Sequence, residues 1–133
     1  MSLLSGYNTQ QVSLVINAGS AVAGTTTLPI LRAPFGGVTV TDAYIMPNTA
    51  IVANGSNYVT ATLLNGGTAG TATTAIGTAG GTAGVTAAPN AYTLNTAADE
   101  LTADQYLMAR IVKTGSIAEN EYSVVVRYVA GKG

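Results

Sequence analysis

Carboxylates are the main candidates for acid–base or metal chemistry in this sequence, and their densest group is Asp99, Glu100 and Asp104. Two carboxylates that face each other across a cleft can hydrolyse glycosides, and a carboxylate cluster can bind calcium. Here the three stand side by side in a polar segment, without the aromatic platforms that hold sugars and without an EF-hand loop pattern. We therefore expect a turn or a helix cap here, and no catalytic residue, metal site or cofactor.

The absent residue types exclude most other active sites. With no His and no Cys, the chain cannot build a Ser-His-Asp or Cys-His nucleophile, a disulfide, or the usual ligand set for zinc, copper, haem or iron–sulfur clusters. A net charge of −1 with 5 Lys and Arg residues argues against nucleic acid as a partner. These exclusions predict a protein that is not an enzyme and acts through its surface.

Arginines near aromatic or apolar residues are the best candidates for contacts with a partner. Arg32 stands two residues before Pro34 and close to Phe35, the only Phe in the chain, and Arg127 lies in an apolar segment. Arg and aromatic residues dominate the binding energy of many interfaces, although an Arg stem can also snorkel on a hydrated face. Arg110 is the weaker candidate. With the apolar residues of the N-terminal segment, the predicted contacts are Leu3, Leu4, Tyr7, Arg32, Phe35 and Arg127.

Charge is scarce and unevenly placed. Charged residues make up 8% of the chain, and Ala, Thr and Gly make up nearly half of it. A surface with so little charge favours association, although hydroxyl and amide groups could also keep it hydrated. Only Arg32 and Asp42 among the charged residues precede Asp99, so we expect residues 1–98 to supply more of the covered surface.

The N-terminal residues lack the basic region of a secretory signal, and no apolar run is long enough to span a membrane. We expect synthesis in the cytoplasm without a signal peptide, and no membrane partner. Asn54-Gly55-Ser56 matches a glycosylation sequon, but Asn-Gly also favours a tight turn, which we prefer. Residues 1–9 are interpreted as an arm and residues 10–133 as a single domain.

Alternating apolar and polar residues predict an all-β, antiparallel sandwich of about eight strands, with at most one short helical turn near 98–103. Pro29 removes a hydrogen-bond donor and indicates an edge or bulged position. In residues 37–46, Val38, Val40, Asp42 and Tyr44 are predicted to share one face. The predicted strands cover residues 11–16, 25–32, 37–46, 57–64, 71–76, 91–95, 106–114 and 121–130.

Residues 66–84 are low in complexity, with Thr-Ala-Gly at 68–70, 78–80 and 82–84. A solenoid or an ice-binding threonine array would need a fixed repeat, which this spacing lacks. A strand flanked by loops is the preferred interpretation of this segment.

Three segments together resemble a known family. They are NGSNYVTATLLNGGTAG (54–70), AYTLNTAADELTADQYLMARIVKTG (91–115) and YSVVVRYV (122–129). In strand texture and turn placement, the chain from about Ile45 onward resembles the capsid cement, or decoration, proteins of tailed bacteriophages. The Thr-Ala-Gly-rich stretch is longer and plainer than that pattern leads us to expect.

The resemblance implies a jelly-roll sandwich without catalytic residues. It also implies a structural virion protein that binds the outer face of the capsid, joins subunits of the major capsid protein and associates with itself as a dimer or trimer. The alternatives are a carbohydrate- or receptor-binding module of a fibre or adhesin, and a structural module of a tail or baseplate.

Overall fold

The computed structural model describes residues 9–19 and 23–131, and within these ranges it contains strands and turns but no helix. The first four of the eight predicted strands begin and end within two residues of observed ones, and the last two match observed strands residue for residue. The strands are β1 (Thr9–Asn17), β2 (Gly24–Arg32), β3 (Val38–Pro47), β4 (Tyr58–Asn65), β5 (Thr74–Gly81), β6 (Asn90–Ala91), β7 (Thr93–Leu94), β8 (Glu100–Leu101), β9 (Tyr106–Thr114) and β10 (Glu121–Ala130).

The strands form two antiparallel sheets that pack face to face, which confirms the predicted sandwich. Sheet A has the order β1-β10-β3-β6, with β8 also on β3, and sheet B has the order β2-β9-β4-β5-β7. The pairing is nested: β1 pairs with β10, β2 with β9, β3 with β8, and β4 with β5. A long antiparallel ribbon rolled up in this way is a jelly roll.

The core lies between the sheets and consists of the side chains that point inward from each strand. The largest fully buried side chain is that of Tyr122, and its hydroxyl donates to the Glu119 carbonyl at 2.8 Å. The largest fully buried aliphatic side chains are Ile16, Val38, Val40, Ile45, Val59, Leu63, Leu64, Ile76, Leu101, Leu107 and Ile111.

The predicted face of β3 is wrong beyond its midpoint, because a bulge interrupts the alternation. Arg127 pairs with Asp42 and Tyr128 with Val40, which leaves Thr41 as the extra residue. A bulge of one residue exchanges the two faces of a strand. Ala43 therefore points into the core and is buried, and the Thr41 hydroxyl donates to the Arg127 carbonyl at 3.2 Å.

The other differences from the sequence prediction lie between β4 and β9. The strand in the Thr-Ala-Gly-rich stretch is β5, which starts three residues later than expected. The segment 91–95 is divided into β6 and β7, which belong to different sheets. Residues 98–103 contain a bend, β8 and the start of a turn. Pro29 lies in the edge strand β2 beside a register shift, as predicted.

The uneven distribution of charge along the chain does not divide the molecule into a covered face and a hydrated face. The charge-rich strands β9 and β10 lie inside the two sheets, each between two strands from the first half of the chain. Lys113 on β9 is buried, and Arg127 on β10 faces Asp42 on β3. The nested pairing thus mixes residues from the two halves.

Candidate interaction surface

A tight turn between β2 and β3 presents the only Phe of the chain. The Gly37 amide donates to the Pro34 carbonyl at 2.9 Å, and Gly36 has a φ of 91°. A positive φ at the third residue is what a type II turn requires, and glycine adopts it without steric cost. Phe35 occupies the second position of this turn and is 100% exposed.

We call this turn, residues 34–37, the Phe35 turn. Neighbouring loops hold its base on both sides. The Ala33 amide donates to the Gln105 carbonyl at 2.8 Å, and the Asp104 amide donates to the Ala33 carbonyl at 2.9 Å. On the other side, the Gly131 amide donates to the Gly37 carbonyl at 2.8 Å. The backbone therefore fixes where Phe35 stands.

Arg32 lies beside this turn, so the structure brings together two of the predicted contact residues. Its guanidinium lies 3.0 Å from the Asp104 carboxylate, and both side chains are about 60% exposed. Such an exposed pair adds little stability. It orients the guanidinium and leaves it accessible next to Phe35. Leu3, Leu4 and Tyr7 lie outside the described residues.

Arg127 lies apart from the Phe35 turn, on the outer face of sheet A. Its guanidinium is 3.6 Å from the Asp42 carboxylate, its Nε donates to Gln11 Oε1 at 3.2 Å, and its Cζ lies 6.0 Å from the centre of the Tyr44 ring. These contacts hold the guanidinium against three side chains of sheet A, and the Arg127 side chain is 48% exposed, against 59% for Arg32. As a contact for a partner, Arg127 is less available than Arg32.

Arg110 is better placed than Arg127 to contact a partner, although the sequence made it the weaker candidate. It lies in the middle of the outer face of sheet B, half-buried, and its buried Nε has no hydrogen-bond partner. No carboxylate pairs with it among residues 9–19 and 23–131. Thr27 and Thr62 flank it on the adjacent strands. A guanidinium in this setting can donate hydrogen bonds to a carboxylate of a partner, so Arg110 joins the candidate contacts.

The three carboxylate residues of the segment 99–104 have different surroundings in the fold. Asp104 pairs with Arg32, Glu100 lies in β8 opposite Thr39, and the Asp99 carbonyl accepts from the Val40 amide. No group of three or more Asp and Glu side chains placed to hold a metal ion occurs in the part of the chain that the structure describes.

A groove lies at the end of the sandwich opposite the Phe35 turn. It measures about 400 Å³ and is lined by residues 49–52 and 116–119. Glu119 is its only ionisable side chain. Burial acts to raise the pKa of this carboxyl, but hydrogen bonds from the Glu121 amide, from the hydroxyl and amide of Thr49 and from the Asn120 amide lower it, and the pKa lies below its usual value. A carboxylate that is occupied in this way is poorly suited to accept a proton from a substrate.

Several exposed apolar side chains were not predicted from the sequence, because a regular strand pattern does not show which side chains are covered by neighbouring strands or loops. Val52 is 92% exposed in the loop after β3, and Val15 and Met46 are exposed on the outer face of sheet A. Isolated exposed apolar residues are common on protein surfaces. Phe35 differs from them in its size and in the braced turn that carries it.

Comparison with known proteins finds no family model that the chain matches, and no curated protein or solved structure with significant similarity. Among the described residues, no helix is long and apolar enough to cross a membrane.

Proposed function

We propose that this chain is a structural virion protein of a tailed bacteriophage, a cement protein that binds the outside of the capsid and stabilises contacts between subunits of the major capsid protein. The observation that carries the proposal is the fully exposed Phe35 on its braced turn, with Arg32 beside it. The jelly-roll connection and the charge-poor surface support it.

The Phe35 turn suits a protein that binds without changing shape. Since the backbone of the turn is already fixed at its base, docking Phe35 into a pocket orders one side chain and leaves the turn as it is. The cost in conformational entropy is correspondingly small. Burying a Phe side chain contributes about 1.5–3 kcal/mol, and many copies on one shell would add these contributions over the whole capsid.

Substitution of Phe35 tests this contact directly, and Val52 offers a matched control. Both side chains are apolar and more than nine-tenths exposed, but they lie at opposite ends of the sandwich. On undecorated capsids of the phage that encodes this chain, Phe35→Ala should weaken binding roughly 10- to 100-fold. Val52→Ala should bind like the unsubstituted protein, and both variants should keep their stability, because neither side chain is packed in the fold.

Binding would be measured by co-sedimentation with the capsids at several protein concentrations, together with the temperature at which the capsids open. We expect saturable binding and a higher opening temperature for decorated capsids. Binding to glycans without binding to capsids would contradict the proposal and favour a carbohydrate-binding module. Equal capsid binding by Phe35→Ala and the unsubstituted protein would contradict the role of the Phe35 turn.

A further inference from the structure

Within residues 9–19 and 23–131, the outer edge of β1 is the one long strand edge without a feature that blocks pairing with another strand. β1 is nine residues long, carries no charged residue and no proline, and pairs with β10 without a register shift. Among the described residues, no strand pairs with its other side. A long, uncharged edge strand is a template for pairing with another strand.

The other edges of the sandwich differ from β1 in this respect. The edge strand of sheet B on the same side, β2, contains Pro29 and a register shift and ends in Arg32. On the opposite side, the outermost strands β6, β7 and β8 are two residues long. Proline, bulges, charge and short length are the devices that prevent edge pairing. Their absence on β1 marks this edge as available for pairing.

The free hydrogen-bonding groups of β1 can be assigned from its ladder with β10. The Ala18 amide donates to the Asn120 carbonyl at 2.7 Å, and backbone groups alternate in direction along an antiparallel pair. The amides and carbonyls of Gln11, Ser13 and Val15 therefore point away from β10. Ser13, the central residue of β1, is thus one of the residues whose amide and carbonyl face the free edge.

We propose that β1 pairs antiparallel with β1 of a second copy of this chain, about a twofold axis at Ser13, so that the two copies of sheet A become one continuous sheet. In this register Ser13 lies opposite Ser13 of the other copy, and all nine residues of β1 find a partner. The proposal goes beyond the proposed function and does not depend on it, because it concerns only contacts between copies.

Three features favour a second copy over a different partner. The register that centres on Ser13 uses the whole strand, and its free amides and carbonyls face one another across the axis. Val12, half-buried and directed toward the core, comes opposite Leu14 of the other copy, so apolar groups meet apolar groups. Because β1 carries no charge, bringing two copies together opposes no like charges along the strand.

A proline at Ser13 tests the proposal. Ser13→Pro removes a free-edge donor but no donor to β10, so the β1–β10 ladder stays intact. The unsubstituted protein should sediment as a dimer, and Ser13→Pro should raise the dissociation constant roughly tenfold or more. Ser13→Ala keeps the amide and should dimerise normally. A monomeric unsubstituted protein, or an oligomer that Ser13→Pro leaves unchanged, would overturn the proposal.

Disulfide trapping gives a second test that does not depend on how proline is tolerated. The chain has no Cys, and paired residues that exchange hydrogen bonds in an antiparallel sheet have Cα atoms about 5.5 Å apart, within the range for a disulfide. Ser13→Cys should form a cross-linked dimer on mild oxidation. Thr27→Cys, an exposed position on the edge strand β2, is the control. Equal cross-linking of both variants would contradict pairing through β1, whatever the result of the capsid experiment.

Discussion

Lys113 shows how this charge-poor chain accommodates a buried cation. Its side chain is 3% exposed, and its Nζ donates to the Gly19 carbonyl at 3.1 Å and to Asn120 Oδ1 at 2.8 Å. Within residues 9–19 and 23–131, no carboxylate pairs with it. Neutral oxygens thus satisfy the ammonium, and the two hydrogen bonds join the end of β1 to the loop before β10.

Tyr122 allows a prediction about how stability depends on pH. Burial, with a further effect from the nearby Glu119 charge, raises the pKa of its phenol from 10.0 to about 12. Because the unfolded chain then releases this proton at lower pH than the folded chain, stability should fall as the pH rises through the interval from about 10 to 12.

The variant Tyr122→Phe isolates this effect. It loses the hydrogen bond to the Glu119 carbonyl, which should lower the free energy of unfolding by about 1 kcal/mol at neutral pH. Since it also lacks the titrating phenol, the difference from the unsubstituted protein should shrink as the pH approaches 12. Urea unfolding at several pH values measures this difference. The buried Tyr92 is common to both proteins, and a difference that stays constant with pH would contradict the prediction.

In β5, one glycine lies where the neighbouring strand leaves no room for a side chain. Gly80 and Gly81 both have positive φ angles, of 84° and 87°. A Cβ on Gly80 would collide with the Val59 carbonyl and press on Val85, whereas a Cβ on Gly81 would meet nothing within 4 Å. The pair therefore separates the effect of close approach from that of backbone conformation.

We expect Gly81→Ala to lower the free energy of unfolding by about 1–2 kcal/mol, the cost of a left-handed conformation for a residue with a Cβ. Gly80→Ala should cost more, because β4 and β5 must also move apart at this point. Equilibrium urea unfolding of the two variants measures the difference. Equal losses in both variants would show that β5 adjusts freely and that the close approach is unimportant.

The same elements show what the sequence could predict. β9 and β10 were predicted residue for residue, because β-branched, aromatic and other apolar residues fill both segments and polar or Gly residues flank them. β3 was placed correctly, but the faces of its second half were exchanged, since a bulge depends on the partner strand and leaves no local signal. The division of residues 91–95 between two sheets likewise depends on the nested pairing. Phe35 and Arg32 were recognisable from residue type, whereas the lack of a partner for Arg110 depends on its neighbours in three dimensions.

The proposed capsid contact at Phe35 and the proposed β1 dimer are compatible in the whole molecule. The Phe35 turn lies at one end of the sandwich, and the free edge of β1 runs along its side. Antiparallel pairing of β1 inverts the second copy, so a dimer presents its two Phe35 turns at opposite ends. A dimer with this arrangement could contact capsid subunits on both sides of a seam, which is the task proposed for a cement protein.

A density map of the intact virus particle would decide whether this chain is a cement protein, because such a map shows the partner and the stoichiometry together. The proposal predicts density for this sandwich on the outer face of the capsid, with the Phe35 turn against the major capsid protein. Density for the chain in the tail or in a fibre, or a capsid surface without it, would contradict the assignment as a cement protein.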